Sequence, residues 1–244
     1  MNWFYRMASP PHFYRWSGTA IPWFLVPATV LAVIGLYLAL VTSPTDYQMG
    51  DTVRIMYVHV PVAWLSLMCY TSMAVASAIG LIWRIKLAHA VAAAIAPAGA
   101  SLTALALFTG SLWGKPTWGT YWVWDARLTS YLMLLFLFAG FALLRNAFSD
   151  VQRGDRAAAI LAIVGVVNIP IIHYSVNWWN TLHQPASFSV TKGQAGIDSS
   201  MLWPLFTMLF AVTLYLVALV LMRTRNEVLI RERRKAWIKE VLVK

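Results

Sequence analysis

The chain alternates long apolar runs with short polar breaks. Six runs, near 20–41, 55–83, 87–114, 128–144, 157–179 and 199–222, contain no Asp, Glu, Lys or Arg. Each meets or exceeds the roughly 17–25 residues that a helix needs to cross the hydrocarbon core of a bilayer. The pattern predicts an all-α, polytopic membrane protein with six transmembrane helices, each satisfying its own backbone polar groups. Residues 1–222 then form one domain, and 223–244 a basic tail. The first run is too long for the apolar part of a cleaved signal, and LVTSP is a poor small-residue cleavage site.

Composition agrees. The chain is 60% hydrophobic and 11% charged, whereas a soluble domain carries about 25% charged residues. Its single cysteine, Cys69, lies within the second run, so no disulfide framework and no Cys-x-x-Cys-His haem attachment exists. The net charge of +10 first suggests nucleic acid, but its distribution points to a membrane. Of 19 Lys and Arg, 15 fall in the N-terminal segment, the second and fourth breaks and the tail. Arg54, Lys115, Arg127 and Lys192 fall in the other breaks. An excess of basic residues marks the cytoplasmic side. Both termini are therefore expected in the cytoplasm, with 42–54, 113–127 and 180–198 outside. The tail RTRNEVLIRERRKAWIKEVLVK is expected to rest on anionic lipid.

The unusual residues gather on the outer side. Residues 113–125 read WGKPTWGTYWVWD, with four of the chain's 13 tryptophans. An interfacial aromatic belt accounts for Trp23, Trp64, Trp83 and Trp203, which stand singly near span ends. It accounts less well for Trp113, Trp118, Trp122 and Trp124 together. Pro116 and Gly119 are expected to break the helix. A new helix from Thr117 would put Trp118, Tyr121, Trp122 and Asp125 on one face. An extended strand would instead align Trp118, Trp122 and Trp124. Either arrangement builds an aromatic shelf for a flat apolar ligand, with Asp125 and Arg127 as polar handles at its edge.

His59, His173 and His183 lie at the same membrane face. Imidazole is a standard axial ligand of haem iron, and Arg54 and Arg127 suit the propionates through charge-assisted pairing. Shelf, histidines and cations together describe a haem site, with more than one histidine available to it.

The stretch WGKPTWGTYWVWDARLT, with RIMYVHVP before it and NIPIIHYSVNWWNTLHQ after it, resembles the WWD signature of membrane haem-handling proteins of cytochrome c maturation. Over nearly its whole length the chain is similar to the CcmC (haem exporter protein C) family, the WWD loop covering 113–129. Tyr121 stands where tryptophan is commoner. The resemblance implies a non-enzymatic bundle that holds haem b, transiently and without a covalent bond, at the periplasmic face of the bacterial inner membrane. It implies His59 and His183 as axial ligands, with the Trp-rich loop against the porphyrin. It also implies delivery to the haem chaperone CcmE, and a complex with the ATPase CcmA, CcmB and CcmD. The chain itself lacks a G-x-x-x-x-G-K-[ST] nucleotide loop, which fits that division of labour.

Two other classes compete. A b-type cytochrome electron-transfer subunit should carry histidine pairs in both membrane halves, and the inner half offers only His89. A channel gated by the Trp-rich loop needs polar residues along the bundle. Asn168 is an exception within spans otherwise nearly devoid of them.

Overall fold

The computed structural model describes residues 8–183, 188–189, 194–195 and 197–242. Its helices are α1 (Pro10–Tyr37), α2 (Met56–Trp83), α3 (Lys86–Trp118), α4 (Ala126–Asn146), α5 (Val151–Gly165), α6 (Asn168–Trp178), α7 (Ser199–Glu232) and α8 (Ala236–Leu242). A π-turn, Leu38–Thr42, extends α1, and a 3-10 turn, Asp51–Ile55, leads into α2. A two-residue antiparallel ladder pairs Phe188 with Ala195 and Ser189 with Gln194. Six helical segments are long and apolar enough to cross a membrane, as the hydrophobic runs predict.

The differences from expectation have local causes. The fifth span is two helices, α5 and α6, parted at Val166–Val167. Pro170 lacks an N–H, and its ring clashes with the carbonyl four residues back, which is that of Val166. Asn168 then ties α6 to α4, its amide donating to the Ser130 carbonyl at 2.9 Å. It is a helix-to-helix pin rather than part of a polar pore. Pro116, by contrast, does not stop α3. It sits in the last turn, where little helix follows to be disrupted. The helix ends at Gly119, whose φ of 77° closes a left-handed cap with its N–H on the Lys115 carbonyl at 3.0 Å. Lys192, one of the expected outer cations, lies outside the described residues.

The core sits where α2, α3, α4 and α5 converge, around Tyr70, Met73, Leu134, Phe138 and Ala158. Gly99 permits a close approach: a Cβ there would lie 2.3 Å from the Phe138 ring. On the other side α1 packs along α7. The Arg225 guanidinium lies 3.8 Å over the Tyr14 ring and donates to the Tyr14 carbonyl.

The expected division at residue 222 coincides with no break, because α7 continues to Glu232. The charges that end its apolar run are absorbed by a partly buried network centred on Asp155. Arg145 of α4 bonds Asp155 of α5 at 3.2 Å and Glu227 of α7 at 2.6 Å. Arg231 bonds Asp155 at 2.6 Å and Glu227 at 3.3 Å. Beyond α7 the chain folds back, with Ile238 buried and Trp237 against Leu87, Ala90 and Val228. Asp150 caps α5, accepting from the N–H groups of Gln152 and Arg153, which hold its carboxyl below the usual range.

Candidate functional site

A cavity of about 300 Å³ lies at the end of the bundle where α2 starts and α3 ends. Its lining draws on five separate parts of the chain: His59 from α2, Trp113 and Trp118 from α3, Arg127 from α4, Leu205 from α7, and His183. Each imidazole stands against a tryptophan of α3. The His59 and Trp113 rings are 5.8 Å apart, edge to face. The His183 and Trp118 rings are 6.0 Å apart.

Small residues on α3 make the space. Ala106, Gly110 and Gly114 all line the cavity. At intervals of four they form one strip along the helix. A Cβ on Gly110 would lie 2.9 Å from the His59 ring, and one on Gly114 3.0 Å from the Trp118 ring. The strip therefore seats both rings as well as widening the cavity. Tyr131 closes one side, its hydroxyl committed to the Ala63 carbonyl at 2.8 Å.

Hydrogen bonds fix the state of His59. Its Nδ1 is 3.0 Å from the Thr109 hydroxyl oxygen. That hydroxyl sits 2.7 Å from the Leu105 carbonyl, one turn back on α3, and spends its only proton there. The Thr109 oxygen must then accept from Nδ1–H. This network assigns the tautomer: in the neutral ring, Nε2 keeps its lone pair. Sequence reading missed Thr109. The signal was present as a hydroxyl inside an apolar helix at the level of His59, but nothing in the sequence paired the two.

Several expected site residues take other places. Arg54 donates to Asp51 at 3.1 Å and to the carbonyls of Leu40 and Ser43. Its donors hold together the connection between α1 and α2, and it does not line the cavity. Asp125 is the N-cap of α4. One carboxylate oxygen accepts from the Leu128 N–H at 2.7 Å, and the other meets the Thr181 hydroxyl, two residues before His183. Trp122 and Trp124 form an edge-to-face pair at 5.4 Å, outside the cavity lining, with Trp124 75% exposed. Neither expected geometry of the shelf holds. Because α3 reaches Trp118, Trp113 and Trp118 point inward on the helix while residues 119–125 form a turn across its end. Lys115 braces that turn, donating to the Gly119 carbonyl at 3.0 Å and lying over the Tyr121 ring. His173 is exposed, edge-on to Tyr174, and does not line the cavity.

The residues present fit a haem. The lining is mostly apolar, with two imidazoles, one guanidinium and a buried Trp113 Nε1 that has no acceptor. Among the described residues no group of three His, Cys, Asp or Glu gathers to hold a bare metal ion. A porphyrin brings four nitrogen donors of its own and needs only axial ligands from protein.

A family model described as "Heme exporter protein C" matches residues 3–239. The chain is 49% identical over 240 residues to "Heme exporter protein C" of Escherichia coli (strain K12), covering 98% of this chain and 96% of that one. It is 49% identical over 225 residues to the protein of the same name from Bradyrhizobium diazoefficiens, covering 92% and 85%. A mitochondrial protein of Marchantia polymorpha, named for its likeness to ccmC in cytochrome c biosynthesis, is 43% identical over 200 residues, covering 82% and 84%.

Proposed function

Since the chain belongs to the heme exporter protein C family, we propose that this cavity holds haem b as cargo during cytochrome c biogenesis. The haem is bound without a covalent link at the periplasmic face of a bacterial inner membrane. It is then presented to the haem chaperone CcmE, and the protein works in a complex with CcmA, CcmB and CcmD. The observation that carries the reading is convergence: His59 and His183, 124 positions apart in the sequence, share one apolar cavity with Trp113, Trp118 and Arg127.

Each residue has a task. His59 presents Nε2 because Thr109 holds Nδ1–H. His183 supplies the second imidazole from outside the helices. Trp113 and Trp118 support the imidazoles and offer flat apolar area. Arg127 places a guanidinium in the lining for a propionate, whose fork geometry it matches. Trp124 stands exposed outside the cavity, with Trp122 packed edge-on against it, where it suits contact with the receiving chaperone. Bound haem supplies the iron and the four equatorial nitrogens, and the chain supplies orientation and exclusion of water.

The test is the absorption spectrum of the purified protein, with a pyridine assay for haem type. A b-type spectrum is expected, strongly reduced in His59→Ala and in His183→Ala, and retained in His173→Ala and His89→Ala. An unchanged haem-to-protein ratio in the His59→Ala, His183→Ala double variant would overturn the ligand assignment.

A further inference from the structure

The opposite end of the bundle holds a larger bay of about 900 Å³, bordered by the ends of α2, α4 and α7 and the starts of α3 and α5. We propose that this bay binds the headgroup of an anionic phospholipid.

Charge is the first argument. Arg145, Asp155 and Arg231 line the bay and belong to the network with Glu227, so their charges are spent on one another. Asp155 is only 5% exposed. Around them stand Arg84, Lys86, Arg156, Arg233, Arg234 and Lys235, none in an ion pair among the described residues. The other acidic residue of the lining, Glu232, accepts from Trp237 Nε1 at 3.2 Å. The walls are thus cationic beyond anything the fold neutralises.

Backbone is the second. Lys86 begins α3, a helix of 33 residues with no side-chain cap at Ile85 and no acid in its first turn. The positive end of its dipole therefore opens at the bay, an arrangement that favours an anion. Arg84 adopts a left-handed backbone, φ 56° and ψ 33°, which non-glycine residues rarely do. This tight link brings Arg84 and Lys86 to the same rim.

Apolar side chains choose the source of the anion. Leu81, Val151 and Ile230 share the lining and keep surface uncovered by the protein, with Ile230 66% and Val151 52% exposed. A soluble phosphate makes no use of these side chains, whereas the glycerol and upper acyl region of a lipid covers them. Basic pockets between spans at headgroup depth suit such lipids. The proposal does not depend on what the opposite cavity holds.

The experiment is native mass spectrometry of the full chain released from micelles containing phosphatidylglycerol and phosphatidylcholine with identical acyl chains. Phosphatidylglycerol should be retained at least about tenfold over phosphatidylcholine. The Lys86→Gln, Arg156→Gln, Arg234→Gln variant should lose roughly fivefold for each cation removed. Glu232→Gln should shift retention the other way, so a poorly folding triple variant leaves the proposal exposed to test. Equal retention of the two lipids overturns it. So does displacement by millimolar inorganic phosphate, which would make the bay a site for free phosphate. Unchanged phosphatidylglycerol in the triple variant, with loss of a co-purifying protein, would make the bay a docking surface instead and overturn the lipid assignment.

Discussion

At the level of single residues, the site depends on side chains whose bonding partners the sequence conceals. Thr109 is the clearest. Thr109→Val keeps its shape and removes an acceptor for His59 Nδ1–H. The imidazole then either keeps that proton with only the Ala106 carbonyl as partner, losing a hydrogen bond worth about 0.5–1.5 kcal/mol, or moves it to Nε2 and loses the lone pair. Supporting contacts to metal-binding histidines are worth about 10–100-fold in affinity. Haem retention in Thr109→Val is expected to fall by that order, with a shifted reduction potential, and Thr109→Ser should restore both. Normal retention and potential in Thr109→Val would remove its positioning role. The tryptophans divide likewise. Trp118→Ala should weaken haem binding about tenfold or less, since ring pairing is worth roughly 0.5–1.5 kcal/mol beyond area burial. Trp124→Ala should leave the haem-to-protein ratio unchanged and lower delivery to the chaperone. Measuring bound haem and delivery in the same preparations separates them. The sequence brought His59, His183, Trp113, Trp118 and Arg127 to one membrane face, and they share one cavity. It misplaced Trp124 and Arg54, because a side chain after a left-handed glycine, or one with nearby carbonyls to bond, is directed by local backbone that periodicity does not carry.

At the level of elements, α3 is the organising helix, and its small-residue strip decides how the site is shaped. Gly110→Ala tests this with helix propensity working against the expected result. Alanine favours a helix over glycine by about 1 kcal/mol, so the variant should insert and accumulate at least normally. Its Cβ would nonetheless press on the His59 ring at 2.9 Å. Several-fold less haem per protein is expected; an unchanged ratio would mean the ring has room to spare. Six runs of apolar sequence sufficed to count the spans. Their ends were less legible, for reasons visible in particular elements. Pro170 stands just past the break in the fifth span, whereas Pro27 and Pro97 lie inside helices that continue and Pro116 sits in the last turn before Gly119, so proline alone does not mark where a span is divided. The apolar run of α7 stops near 222, but the helix does not, because Glu227 and Arg231 find partners on α4 and α5. Hydropathy registers those charges and not the residues that neutralise them.

At the level of the whole molecule, charge and cavities are sorted by end. Arg127 lines the Trp-rich cavity, while Arg84, Lys86, Arg145 and Arg156 line the bay at the far end. With 15 of 19 basic residues in the segments read as inner, enzymatic reporters fused after Met222 should be active only in the cytoplasm. Reporters inserted within 180–198 should be active only in the periplasm. Reversed activities would turn the molecule over and place the His59 cavity on the wrong side for a periplasmic hand-off.

The two histidines are held in unlike ways, and a carrier that must give up its load benefits from the inequality. His59 belongs to the first turn of a 28-residue helix and is locked by Thr109. His183 stands beyond the end of α6, near the contact between Thr181 and the carboxylate that starts α4. Under the proposed ligation, departure is expected to follow an order: the outer grip loosens first, and the inner one keeps the load from drifting into the lipid until a receiver has taken hold. Weakening the Asp125 contact through Thr181→Val should accordingly speed haem loss to an external acceptor, with little change in the initial yield of loaded protein.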